Sequence, residues 1–278
     1  MPSIDRLMRE GTRLLKEAGI SSPLFDAREL MMHALGLSSK MELFCRREMD
    51  EEQAQIYWQL IARRAERYPL QYLLGFWEFY GRRFAVREGV LIPRSDTECL
   101  VDCALQAIDK TGKGAVLDLC SGTGAVAITL SLERADILAE ALELSSAALE
   151  VLQENVHLHA APVRITAADA LTYTPESSYS LITCNPPYIS EGEYAMLQPE
   201  VLHEPKMALV AGHNGLAFYE TISRRYCDFL LPGGLLLFEA GAGQAAAIKE
   251  MLAKAGYREI FSRPDIQGIE RVIGGYKE

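Results

Sequence analysis

The chain contains no uninterrupted apolar run near the roughly 18 residues that a membrane-spanning helix needs. Its first ten residues carry Asp5, Arg6 and Arg9 where a secretory leader would have an apolar core, so a cytoplasmic protein with no membrane role is expected. The six cysteines, Cys45, Cys99, Cys103, Cys120, Cys184 and Cys227, include no CxxC pair and no zinc-ligand spacing; reduced thiols and no metal are expected. Histidine is sparse, with five residues in 278, and none is needed by the chemistry argued below; His203 and His213 read as loop residues. Positive charge is also short. Lys and Arg number 28 against 38 Asp and Glu, a net charge of -10, which disfavours a large phosphate-binding footprint and direct DNA binding. The deficit is uneven, since residues 1–90 hold 14 of the basic and 13 of the acidic side chains. A near-neutral module is joined to an acidic one.

The length suits one large domain and a smaller one. Leu7, Leu14, Leu15 and Ala18 recur at helical spacing. Ser21, Ser22 and Pro23 open a second helix through Leu30, Met31 and Leu35, and a third is expected over 51–67 with Ile56, Trp58, Leu60 and Ile61 as its apolar members. Residues 1–71 therefore read as a small helical domain. Over 72–95 the period shortens toward two, through Phe76, Phe79, Phe84, Val86 and Val90, with Gly81 at a turn; a β-hairpin linker is expected. From 96 to 278 strands alternate with helices. Strands are expected over 115–119, 137–143, 163–166, 180–184 and 235–239, with later ones near 258–262 and 270–273, and helices over 125–132 and 146–155. The fold class is α/β, a doubly wound and mostly parallel seven-stranded Rossmann-like sheet, with ligands beyond the carboxyl ends of the strands near the switch point.

Two loops carry the chemistry. Val116 to Leu119 runs into Cys120, Ser121, Gly122, Thr123 and Gly124, a small-residue turn that lets backbone approach a ligand, and Glu143 closes the next strand, placed to accept ribose hydroxyls. Gly122, Gly124 and Ala127 also satisfy the dinucleotide pattern GxGxx(G/A), and spacing alone does not separate the two. Asp118 inside the preceding strand, together with the second loop, favours a nucleoside without a pyrophosphate. That second loop is Asn185, Pro186, Pro187 and Tyr188, directly after the apolar strand end Leu181 to Cys184. Its prolines fix φ and delete N–H donors, which leaves the carbonyls of Asn185 and Pro186 free to accept from a substrate NH2 group, with Tyr188 available to stack on a planar acceptor.

The Asp118 to Gly124 loop, Glu143, Asp169 and the Asn185 to Tyr188 corner resemble class I S-adenosylmethionine-dependent methyltransferases acting on a planar nitrogen, a set shared with adenine-N6 methyltransferases. Pro69 to Gly75, Phe79 to Gly81, Val90 to Glu98, Glu204, Pro205, Asn214, Gly215, Glu239, Gly241, Gln244, Gly268 and Arg271 narrow the likeness. Over residues 69–273 the chain is similar to peptide chain release factor glutamine N5-methyltransferases. It departs from the family at Cys120, at Ser95 and Asp96, and at Ser180, positions that bear on cofactor affinity rather than reaction type. The resemblance implies S-adenosyl-L-methionine as cofactor, held by Asp118, Cys120, Ser121, Gly122, Thr123, Gly124, Glu143, Asp169, Ala170 and Asn185. It implies a monomeric enzyme whose partners are release factors, methylated on the glutamine of a Gly-Gly-Gln motif, with Asn185 and Pro186 gripping the amide. Arg94 either orients the incoming loop or pairs with Asp96 or Glu98, and Asp169 is alternatively a helix cap. The alternatives are a glutamine of a ribosomal protein and an adenine-N6 substrate in nucleic acid.

Overall fold

In the computed structural model, which describes residues 2–111 and 114–278, the chain forms two compact units. One holds the residues up to Phe76 with Gln198–His203, and the other holds Trp77–Leu197 with Glu204–Glu278.

The first unit is helical: α1 (Ile4–Glu17), α2 (Pro23–Ala34), α3 (Lys40–Cys45), α4 (Glu51–Ala65) and α5 (Leu70–Leu74). Leu15 of α1, Leu30 and Met31 of α2, and Tyr57 and Ile61 of α4 form its core. Helix α4 begins at a reciprocal cap in which the Asp50 carboxylate accepts from Gln53 N and the Gln53 side chain accepts from Asp50 N. Its buried face is Ala54, Tyr57, Ile61 and Arg64, so Ile56, Trp58 and Leu60 lie off the stripe the sequence suggested, and Ile56 is exposed. Tyr57 takes the core position because Gly11 of α1 leaves room for its ring; a Cβ there would lie 2.1 Å from the Tyr57 hydroxyl. Buried Arg64 pairs with Asp26 at 2.7 Å and with Glu200 at 3.0 Å, and Arg67 also holds Glu200 at 2.7 Å. The short α3 has no counterpart in the sequence reading.

In the second unit, β1 (Phe76–Phe79) and β2 (Arg82–Ala85) form a hairpin turned by Tyr80 and Gly81, both at positive φ, the geometry that matches strand twist. Then follow α6 (Glu98–Thr111), β3 (Ala115–Leu119), α7 (Ala125–Glu133), β4 (Leu138–Glu143), α8 (Ser146–Leu158), β5 (Val163–Ala167), β6 (Tyr179–Cys184), α9 (Glu191–Tyr194), α10 (Ala217–Tyr226), β7 (Leu230–Glu239), α11 (Ala245–Lys254), β8 (Arg258–Pro264) and β9 (Glu270–Tyr276). The seven-stranded sheet has the order β5-β4-β3-β6-β7-β9-β8, parallel except for β9, which runs antiparallel to both neighbours. This is the α/β architecture the alternation implied. Strand β7 starts earlier than expected: Pro232, Gly233 and Gly234 stay within it, at an irregular register against β6, while Gly233 and Gly234 exchange bonds with Lys277.

Both sheet faces are covered, which explains strands that are apolar without alternation. Leu235 and Leu237 of β7 face the cluster built with Leu100, Ile128 and Leu130, whereas Leu236 and Phe238 face Tyr219, Ile222, Ile248 and Leu252. The order reverses between β3 and β6, since β4 and β5 continue to one side and the chain returns to the other. The loops after β3 and β6 therefore share a crevice.

Asn155 of α8 braces that crevice from behind. Fully buried, it accepts from Ala85 N at 2.7 Å and donates to Ala85 O at 3.2 Å and Thr123 O at 3.0 Å. Asn155→Ala should destabilise the protein by about 3 kcal/mol, because it strands buried backbone groups without partners. Urea unfolding at unchanged slope is the check, and a midpoint equal to wild type would show that water or a shifted loop replaces the amide.

Candidate functional site

Beyond β3 the chain enters left-handed backbone at Cys120 (φ 58°), Gly122 (φ 55°) and Gly124 (φ 81°). The turn is closed by Gly124 N to Ser121 O at 2.8 Å and tied to β4 by Ser121 N to Leu142 O at 3.1 Å. The two glycines have different reasons. A Cβ on Gly124 would lie 2.3 Å from Leu152, so this glycine lets α7 approach α8, whereas a Cβ on Gly122 would meet nothing within 4 Å. Gly122 thus opens onto a cavity of about 950 Å³, partly continuous with solvent.

Cys120, Ser121, Gly122, Thr123, Glu143, Asp169, Ala170, Asn185, Pro187 and Arg94 all line this cavity, so residues from five separate stretches of chain meet there as the sequence suggested. Asp118, Gly124, Pro186 and Tyr188 do not line it. Asp118 lies beneath the loop, 2% exposed; Thr183 donates to its Oδ1 at 2.7 Å, and Oδ2 has no partner among the described residues. Burial pushes its pKa up to about 7, against the opposing hydrogen bonds of Thr183 and Ser121. Its place is support of the loop, not contact with a ligand.

Glu143 is already engaged. Its Oε2 accepts from Gly122 N, and its Oε1 from Leu144 N and Ser145 N, each at 2.8 Å. Of the roughly four acceptor positions on a carboxylate, about one remains, so the sequence expectation of a carboxylate free to take both ribose hydroxyls is too generous. Asp169 caps no helix. Its Oδ1 accepts from Leu171 N at 2.8 Å, and its carbonyl closes a turn with Thr172 and Tyr173.

The Asn185 corner is held from several sides. Asn185 Nδ2 donates to Thr97 Oγ1 at 3.2 Å, and no hydrogen bond reaches the Asn185 or Pro186 carbonyl among the described residues. Tyr188 N donates to Leu209 O, and the Tyr188 carbonyl accepts from Gln244 Nε2 at 2.9 Å. Gln244 Oε1 in turn takes Gly241 N at 3.0 Å. The Tyr188 ring sits against Gly241 rather than on the cavity wall, and burial pushes its hydroxyl up to about 12. Arg94 pairs with neither Asp96 nor Glu98. Its guanidinium meets Glu204, 4% exposed, which also accepts from Ile92 N at 3.0 Å, while Asp96 pairs with Arg271 at 3.3 Å. Thr97, Glu204 and Gln244 were visible in the sequence only as parts of a resemblance; their partners lie 56 to 112 residues away. Among the described residues no cluster of His, Cys, Asp or Glu is arranged to hold a metal.

Because Asp118 keeps its proton to about pH 7 in the fold and only to about pH 3.8 in the unfolded chain, its contribution to stability is complete below the lower value and is lost as pH rises through the higher one. Asp118→Asn, neutral throughout, should gain on wild type across that window and run parallel above it. Urea midpoints at a series of pH values check this, and a constant difference would mean that Asp118 is ionised throughout.

Two family models match the chain: the PrmC N-terminal domain over residues 6–75 and the methyltransferase small domain over 97–214. Among curated proteins, the release factor glutamine methyltransferase of Bordetella pertussis is 40% identical, aligned over 95% of this chain and 97% of its own length. That of Geobacter sulfurreducens is 37% identical over 94% and 92%. Among solved structures, a methyltransferase from Pyrococcus furiosus superposes with a TM-score of 0.52 at 16% identity, covering 72% of this chain and 90% of that one, a likeness of fold.

Proposed function

The chain belongs to the release factor glutamine methyltransferase family, and from that premise we propose that it methylates the side-chain amide nitrogen of the glutamine in the Gly-Gly-Gln motif of release factors, with S-adenosyl-L-methionine as methyl donor. The observation that carries the reading is the Asn185 corner: a side-chain amide whose NH2 is tied back to Thr97, leaving its oxygen as an acceptor at the cavity.

The residues fit the cofactor. The open Cβ position of Gly122 admits a ligand against the backbone of Cys120 to Thr123, the remaining acceptor position of Glu143 suits a ribose hydroxyl, and Asp169 with Ala170 borders the adenine. When bound, the cofactor supplies an electrophilic methyl group. The chain supplies orientation: Asn185 Oδ1 accepts one amide hydrogen at the cavity, and the unpaired carbonyl of Pro186, between the lining residues Asn185 and Pro187, accepts the other once substrate enters, which counters conjugation and turns the nitrogen lone pair toward the donor. Positioning of this kind contributes up to about 7 to 11 kcal/mol of barrier reduction. No side chain has to remove a proton first, because the alkylated nitrogen is acidic and releases its proton to water. Pro187 forms cavity wall, Tyr188 anchors the corner through its backbone, and Arg94 with Glu204 fixes the loop at the cavity rim.

The helical unit over Ile4–Leu74 docks the protein substrate in this reading, supported by the exposed Leu24, Met41 and Phe44. The net charge of -10 favours a protein partner over nucleic acid, and in this reading the enzyme is a monomer. No described helix is long and apolar enough to cross a membrane.

Asn185→Ala should reduce methylation of an intact release factor by at least about a hundredfold while calorimetric cofactor binding stays largely intact. Near-normal turnover would remove Asn185 from the mechanism. Mass spectrometry should place the added methyl group on the motif glutamine; a methyl group on ribosomal protein or adenine instead would replace the substrate assignment.

A further inference from the structure

Asn185 can serve an NH2 group only if its own carboxamide is the right way round, since the flipped rotamer would present donors to donors. The direction is fixed two residues deep. Thr97, 5% exposed, accepts from Asn185 Nδ2 at 3.2 Å. Behind it lies Glu239, 1% exposed, whose ionised carboxyl is favoured by the neighbouring Thr97 hydroxyl and whose Oε2 has no hydrogen-bond partner among the described residues. A hydroxyl has one hydrogen, and an ionised carboxylate only accepts. The Thr97 hydrogen therefore goes to Glu239, Thr97 keeps only lone pairs for Asn185, and Asn185 must offer its NH2 inward and its oxygen to the cavity.

Resting on the proposed glutamine methylation, we propose that Thr97 is a positioning residue that, backed by Glu239, locks the Asn185 carboxamide with oxygen outward and so makes the site select a carboxamide over the isosteric carboxylate. A glutamate in the same place brings acceptors and negative charge against Asn185 Oδ1 and finds no donor there. Sites built around a substrate NH discriminate strongly against analogues without it, because their buried polar atoms are left unpaired. The lock is strongest with Glu239 ionised. Burial pushes that carboxyl up to about 7; Arg271 and Arg94 favour ionisation, Asp96 opposes it, and the Tyr188, Tyr219, Cys184 and Cys99 side chains complete the titratable surroundings.

The test uses Thr97→Val, which keeps the shape and removes the hydroxyl, and Thr97→Ser, which keeps the hydroxyl, assayed with full-length release factor above the Glu239 pKa of about 7. T97V should lose about tenfold to a hundredfold in kcat with little change in KM for the release factor, and T97S should recover most of it. A release factor carrying Gln→Glu in the motif should inhibit wild type more weakly than it inhibits T97V, whose freed Asn185 turns its NH2 outward. T97V turnover within about twofold of wild type, equal losses in T97S and T97V, or an unchanged inhibition constant would each overturn the proposal. If T97V does not fold, Thr97→Ala carries the same comparison. Failure of the wild-type enzyme to methylate release factor would instead remove the functional reading beneath it.

Discussion

Everything at the site depends on the pairing of β3 with β6. These strands are not consecutive, yet they lie parallel and adjacent, with Asp118 opposite Thr183 and Leu119 opposite Cys184. One residue past that last rung, each strand leaves the sheet: one into the left-handed Cys120 turn, the other into the Asn185 corner. The register thus brings the glycine turn and the acceptor cluster together at one end of the sheet, on one cavity. A slip of one residue would send every core side chain of β6 to the opposite face. The burial of Leu181 on one face, and of Ile182 and Cys184 on the other, excludes such a slip. Core packing therefore sets the geometry of the chemistry.

The buried acids show the same economy. Asp118 supports the turn from below by accepting from Thr183, the residue next to Cys184 in β6, so one hydrogen bond joins the two strands just under the cavity. Glu239 ends β7 and stands behind Thr97. Each is a buried carboxyl with an oxygen left unpaired among the described residues, and burial raises both to about 7. An apolar residue in either place would be easier on stability. Their retention beside the cavity makes sense as the fixing of direction: a carboxylate decides which way neighbouring hydroxyls point, and the hydroxyls decide which face of an amide or loop is left over.

The sheet was legible in the sequence because a strand covered on both sides is a short apolar run, and runs such as Val116 to Leu119 and Leu235 to Phe238 are bounded by turn residues. The cavity lining was legible in large part because chemistry concentrates at strand ends, and strand ends were marked by glycine, proline and an acid. What sequence could not show is pairing at long range. Arg94 had plausible partners two and four residues away and chose Glu204, whose carboxylate is buried and already takes Ile92 N. Glu143 looked like a free carboxylate and is mostly occupied by the backbone of its own and the neighbouring loop. In α4 the apolar pattern allowed two faces, and space opened by Gly11 on another helix decided for Tyr57.

These misses share a cause, and it bears on how such a site works. Local sequence specifies which backbone groups are exposed, since glycine, proline and strand ends act within a few residues. It does not specify which way a symmetric-looking side chain points, because a carboxamide or a carboxylate fits its space in either sense. That choice is made by partners brought close only when the fold is complete, as Thr97 is to Asn185 across 88 positions and Gln244 is to Tyr188 across 56. Substrate selectivity therefore becomes defined later than the fold itself, in a small set of hydrogen bonds whose loss leaves the sheet intact.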